Sequence, residues 1–196
     1  MGQRTSPREF ILNFIHHLNL DSAILHIKDL YKADLRKCRL SGASLYYADL
    51  QKSNLEGAIL QNAELNFANL YKAGFIKCDL KNADFEGANL SEAVLRSSNL
   101  EGANFLNAKL DNADLRGAKL KNANFSSASL TRADLEGADL TGVNLEGADL
   151  RWADLKQTKL NGSKLKGANL NKADLRGIDL DGINLKGVNL KNAILS

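Results

Sequence analysis

The sequence predicts an all-β solenoid, a chain wound parallel to itself in four-sided coils of twenty residues. Three observations predict it. From Leu20 to Leu195 every fifth residue is Leu or Phe, thirty-six times without an insertion or deletion. The residue two before each Leu or Phe is Ala in 24 of these units, as in Ala133-Asp134-Leu135-Glu136-Gly137. Gly stands two places after the Leu or Phe in 13 units, and sorting those places by a period of twenty leaves one class of four without any glycine.

The period itself excludes the common elements. A helix turns about 100° per residue, so a repeat of five would spread the Leu positions around its whole circumference. A straight strand alternates faces with period two, so an odd repeat would put successive Leu residues on opposite faces. A chain that bends once per repeat points every Leu inward. With right-angle bends, four repeats close a coil, and coils stack about 4.7–4.9 Å apart. Phe85, Phe105 and Phe125 are spaced by twenty and should stack directly in the core. About nine coils account for the repeat region. Each Leu buried contributes roughly 1.5–3 kcal/mol, and stability sums along the stack.

The turn chemistry fits the bends. A type II turn needs φ > 0 at its third residue, which favours Gly or Asn. Six further repeats carry Asn there: Asn62, Asn82, Asn107, Asn112, Asn122 and Asn192. The glycine-free class holds Lys32, Lys52, Lys72, Glu92, Asn112, Arg132, Trp152, Lys172 and Asn192. It is expected to use a turn that tolerates side chains, type I or open.

With these units the sequence resembles the pentapeptide-repeat proteins over about nine-tenths of its length. The resemblance implies a right-handed quadrilateral parallel β-helix. In that fold the Leu or Phe and the residue two before it point inward, and the other three point out. The charges agree, since from residue 20 onward only Lys28 falls on an inward position.

Residues 1–19 stand apart from the repeat region 20–196. Ser6-Pro7-Arg8-Glu9 combines an N-cap, a first-turn Pro and a Glu three after the cap. Phe10, Ile11, Phe14, Ile15 and Leu18 then share one helical face. A short α-helix over residues 7–18 is expected to cap the open end of the first coil. Asn13, His16 and His17 break the apolar run, so it does not read as a signal peptide. No apolar stretch is long enough to cross a membrane as a helix. Met1-Gly2-Gln3-Arg4-Thr5-Ser6 matches a loose myristoylation pattern that a largely bacterial family does not favour. The first coil reads as irregular, with Lys28 inward and Ile24 and Ile27 outward, so either regular coils begin only near Ala33 or the N-terminal helix covers this region. At the far end Ile178, Ile183 and Val188 replace Ala and should alter the cross-section. Ile194 is apolar and outward, and the last coil offers unpaired strand groups. The expected state is a monomer or weak end-to-end self-association.

Little in the chain points to catalysis. Cys38 and Cys78 are both inward and two coils apart, about 10 Å, too far for a disulfide. They are expected to be buried, reduced and inert, as in a reducing, cytoplasmic compartment. His16, His17 and His26 lack the spaced partners of a zinc site. Glycines recur at multiples of five, but no Lys-Ser or Lys-Thr follows to make a phosphate-binding loop. No catalytic, cofactor-binding or metal-binding residue is predicted. Asp114, Asp134, Asp154 and Asp174 form an acidic row, with Arg116, Glu136, Lys156 and Arg176 just beyond it. The bases should screen the acids, and the row encloses too few oxygens for calcium. Lys32, Lys52, Lys72, Arg132 and Lys172 form a basic corner diluted by Glu92, Asp29, Asp49 and Asp149. A nucleic-acid groove would be denser in basic residues.

The outward aromatic residues are the candidate partner-binding positions: Tyr31, Tyr46, Tyr47, Phe67 and Tyr71. Clustered exposed apolar groups mark contacts, and the other reading is that the N-terminal helix covers them. A twelve-residue helix spans about 18 Å, so Phe67 and Tyr71 are expected to stay at least partly exposed. The resemblance implies a non-enzymatic, regulatory protein-binding scaffold, as in bacterial and cyanobacterial members. The alternative it implies is a DNA mimic that binds the topoisomerase gyrase. A net charge of +3 weighs against that alternative, because a mimic must present a negative field.

Overall fold

A computed structural model of the chain describes residues 17–25 and 29–195. From Asn19 to Asp154 each repeat pairs with the repeat twenty residues on, always in parallel. Asn19 bridges Arg39, Asp34 bridges Asn54, and Asp154 bridges Asp174. Four repeats therefore make one coil, and the coil has four sides. The first side carries Leu20, Leu40, Leu60 and their successors at steps of twenty. The second carries Leu25, Leu45 and so on, the third Leu30, Leu50 and so on, and the fourth Leu35, Leu55 and so on. Each corner takes the number of the side before it.

One repeat shows why five residues suffice, because all of its backbone N–H groups find acceptors. Ala133 N–H closes the preceding corner on Leu130 O at 3.0 Å. Asp134 N–H reaches back one coil to Ala113 O at 2.9 Å, and Leu135 and Gly137 N–H reach forward to Asp154 O and Lys156 O at 2.7 and 2.9 Å. The remaining N–H, on Glu136, donates to the Asp134 side chain at 3.2 Å. This last bond is an Asx turn across the corner. It recurs at Asp29, Asn54, Asn124 and Asp174, and is the reason Asp or Asn so often precedes the Leu.

The core is a column of Leu and Phe lined by Ala, with Ala113 and Ala133 each only 1% exposed. Phe85, Phe105 and Phe125 stack face to face at 4.8 and 4.5 Å between ring centres, and Phe75 meets Phe85 edge-on at 6.2 Å. Cys38 and Cys78 are buried thiols. Burial pushes both thiols up, Cys78 to about 12.

Three expectations need correction. The glycine-free third corner does not use a different turn. Lys32, Lys52, Lys72, Glu92, Asn112, Arg132, Trp152, Lys172 and Asn192 all have φ between 56° and 61°, the same left-handed region as the glycines elsewhere. The closing bond, such as Ala33 N–H to Leu30 O at 2.9 Å, is the same too. The hydrogen-bond pattern fixes the backbone at every corner, and a side chain is tolerated wherever it can lean along the stack. Regular pairing also starts earlier than Ala33, since Asn19, Ile24 and Asp29 are already bridged. Lys28 and Ile27 lie outside the described residues. So does the predicted cap over residues 7–18, except for His17 and Leu18. Those two are not helical: His17 has φ 67° and Leu18 O accepts from Arg39 N–H at 2.9 Å, so they belong to the first coil. No helix occurs among the described residues.

The far end departs from regularity. Lys159 and Asp179, and Lys164 and Asn184, form no bridge, while Asp149–Asn169–Asn189 and Asp154–Asp174–Ile194 continue unbroken. The last coil therefore parts from its neighbour on the first and second sides only. Ile178 and Ile183 sit there in half-buried inward places that Ala fills elsewhere, and Val188 does the same on the third side, where pairing continues.

Candidate functional site

The second corner gathers three exposed aromatic rings. Tyr46 and Tyr47 occupy its two turn positions in one coil, and Phe67 stands directly above Tyr47 in the next. Tyr47 and Phe67 stack at 5.3 Å with ring planes 22° apart. Tyr46 meets both edge-on, at 4.4 and 5.8 Å. Tyr47 is 52% and Phe67 43% exposed. The Phe67 ring lies flat over Gly87, one coil on, where a Cβ would stand only 2.5 Å from the ring edge. Glycine at 87 is what lets the ring lie along the backbone. The packing between the three rings leaves their outer faces to solvent.

Tyr31 and Tyr71 do not join this cluster. They sit at the third corner, two coils apart, and each lies under a lysine. Lys32 Nζ is 5.1 Å from the Tyr31 ring centre and Lys52 Nζ 5.8 Å, while Lys72 Nζ is 5.0 Å from that of Tyr71. The Tyr71 hydroxyl donates to Glu92 at 2.8 Å, and Lys72 pairs with the same carboxylate at 3.1 Å. These two contacts hold Glu92 below the usual carboxylate range. Tyr71 is half-buried and already engaged. The five aromatic positions thus divide into a trio packed ring on ring at one corner and two rings under lysines at the next.

The sixth outward aromatic residue, Trp152, is missing from the predicted set. It stands at the third corner, 41% exposed. Arg132 below, Lys172 above and Arg151 beside it all lie 5.3–5.6 Å from its ring, within range of cation–π attraction. The period of twenty places Arg132 and Lys172 on either side of Trp152, so the sequence holds the signal. These contacts also account for bulky residues at a left-handed corner, since each side chain packs on the one in the next coil.

The acidic row on the fourth side is answered by bases. Arg116 bridges Asp114 at 2.7 Å and Asp134 at 3.1 Å, Arg96 also pairs with Asp114, and Lys156 and Arg176 pair with Asp154 and Asp174 at 2.9 and 2.7 Å. Burial would raise Asp114, but hydrogen bonds from Arg116 and Arg96 outweigh it and hold the carboxyl low. Burial dominates at Asp134, whose pKa is raised. Asp134, Glu136 and Asp154 bring carboxylate oxygens within 4.8 Å of one another. Arg116 and Lys156 already occupy two of these three acids, so the group is a charge ladder. No described helix is long and apolar enough to cross a membrane.

Comparison with known proteins agrees with the period. A family model described as a pentapeptide repeat region matches residues 68–145, and one described as pentapeptide repeats in eight copies matches residues 29–62, 48–87, 148–187 and 158–196. Among solved structures, HetL is a pentapeptide repeat protein involved in heterocyst differentiation regulation, from the cyanobacterium Nostoc sp. strain PCC 7120. It is 30% identical over 96% of this chain and 90% of its own, with a TM-score of 0.46. A pentapeptide repeat protein of the Arabidopsis thaliana thylakoid lumen is 34% identical over 53% of this chain and 69% of its own, with a TM-score of 0.37. QnrB1, a plasmid-mediated fluoroquinolone resistance protein, is 21% identical over 91% of this chain and 92% of its own, with a TM-score of 0.63. The likeness to QnrB1 shows a shared fold, the right-handed quadrilateral β-helix, and nothing of function. No curated protein matches the chain.

Proposed function

Because the chain belongs to the pentapeptide-repeat family, we propose that it is a non-catalytic scaffold that binds another protein through its second corner. The observation that carries this reading is the trio Tyr46, Tyr47 and Phe67, packed on one another and open to solvent. Aromatic side chains supply large contact area at low cost in conformational entropy, and dominate binding energy where they cluster. The trio rests on a rigid stack, so its shape is fixed before a partner arrives. Tyr31 and Tyr71, with their lysines, border it at the next corner and would form its polar rim.

Capture from native extract with the intact chain as bait tests the reading. Phe67→Ala and Tyr47→Ala should leave the melting temperature nearly unchanged while weakening capture of the partner at least tenfold. Gly87→Ala should weaken capture too, by displacing the Phe67 ring without removing it. Undiminished capture in both ring variants would sink the proposal. So would a large drop in melting temperature for both, because the rings would then serve the fold.

A further inference from the structure

Inward hydroxyls are rare in this core, and three of the four find a carbonyl. Ser53 Oγ donates to Leu50 O at 2.7 Å, Thr158 Oγ1 donates to Leu155 O at 2.8 Å, and Ser98 Oγ donates to Phe75 O. Ser163 Oγ is buried and has no partner. A buried polar atom without a partner is costly, and in a native protein it calls for an explanation.

Ser163 lies where the last coil parts from its neighbour. In the coil below, Leu145 and Gly147 donate their N–H groups to Lys164 O and Lys166 O at 2.7 and 3.0 Å. The equivalent N–H groups of Leu165 and Gly167 should reach Asn184 O and Lys186 O, and among the described residues they make no such bond. The parting opens a cavity of about 460 Å³ whose lining includes Glu146, Ser163, Lys164, Lys166 and Lys186. That is many times the ~30 Å³ share of one water molecule. Asn184 and Lys186 also line the cavity, and among the described residues their carbonyls accept no backbone bond, so backbone polarity alone does not choose a ligand. Charge does. Three lysines and one glutamate are in the lining. Lys156 and Arg176, by contrast, are tied to Asp154 and Asp174. Among the described residues Lys164, Lys166 and Lys186 form no ion pair. The surroundings have the same sign, with nine Lys and Arg against four Asp and Glu in residues 151–196.

We propose that this cavity binds a tetrahedral oxyanion, inorganic phosphate or a phosphomonoester, between Ser163 and the three lysines. A phosphomonoester carries a charge of about −1.5 to −2 at neutral pH, which matches the excess of two positive groups in the lining. The Ser163 hydroxyl and the Leu165 N–H supply neutral donors, in the manner of other backbone anion cradles. Glu146 opposes the anion and limits its affinity.

The test is a titration of the intact, ¹⁵N-labelled chain with sodium phosphate and separately with glycerol phosphate, each against sodium chloride at matched ionic strength. The Leu165 amide signal should shift saturably with phosphate, with the ester, or with both. Which of the two binds more tightly distinguishes the free anion from the ester. Chloride should leave this signal in place. The double variant Lys164→Gln with Lys186→Gln, both at exposed positions, should weaken binding at least tenfold, and Glu146→Gln should strengthen it several-fold. Non-saturating shifts spread over lysines of all four sides would overturn the proposal, as would unchanged affinity in the double variant or weaker binding after Glu146→Gln.

Discussion

Every described corner of the coil holds a residue with φ between about 55° and 78°, and most of these residues are not glycine. An L-residue pays roughly 1–2 kcal/mol for this conformation, partly offset by the entropy that glycine loses on folding. Ser127 is an exposed corner residue with φ 57°. Ser127→Gly should therefore stabilise the protein by about 0.5–1 kcal/mol. Gly137 has open space where a Cβ would stand, so Gly137→Ala isolates the backbone and should cost about 1 kcal/mol. Denaturant midpoints of the two variants should move in opposite directions. Asp114 gives a second prediction at this scale. Its folded pKa is depressed, so its contribution is fully present above the unfolded value of about 3.9 and is lost as pH falls through the folded value. The stability difference between the protein and Asp114→Asn should be constant from pH 7 to pH 5 and shrink below about pH 4. A difference that grows on acidification would contradict the assignment.

At the scale of the coil, the Ala layer sets how closely the walls approach. Ala113→Leu and Ala133→Leu should each destabilise the protein by roughly 1–3 kcal/mol through overpacking, measured by urea unfolding. The chain carries a natural version of this experiment in Ile178 and Ile183, where the ladder opens on both sides they occupy, while the smaller Val188 leaves its side paired. The period, the inward set, the Phe stack and this departure were all legible in the sequence, because each depends only on spacing and side-chain size. The third-corner turn was not. Absence of glycine reads as absence of positive φ, but the ladder bonds impose that φ on Lys32 or Trp152 as firmly as on a glycine. The aromatic positions were half legible. Columns spaced by twenty pair Tyr47 with Phe67, but only the side-chain geometry shows Tyr71 tied to Lys72 and Glu92. Ser163 could not be singled out, since Ser53, Ser98 and Thr158 hold equivalent places and are satisfied.

At the scale of the whole molecule, charge separates this protein from a DNA mimic. Its net charge is +3, and its acidic row is neutralised by arginine and lysine along the fourth side. A protein that competes with DNA for a basic groove needs a negative field. The intact chain should leave gyrase supercoiling unaffected in a gel assay, at concentrations where an acidic pentapeptide-repeat protein inhibits it. The strict register of twenty has a further consequence, for inheritance. Losing one pentapeptide would break no reading frame and spoil no core position, yet it would rotate everything downstream by a quarter turn about the long axis. Such a deletion between Phe67 and Trp152 would swing the tryptophan away from its present bearing relative to the aromatic corner. Gains and losses that preserve both surfaces in one alignment must come in whole coils, so lengths in a lineage that keeps them should differ by multiples of twenty residues.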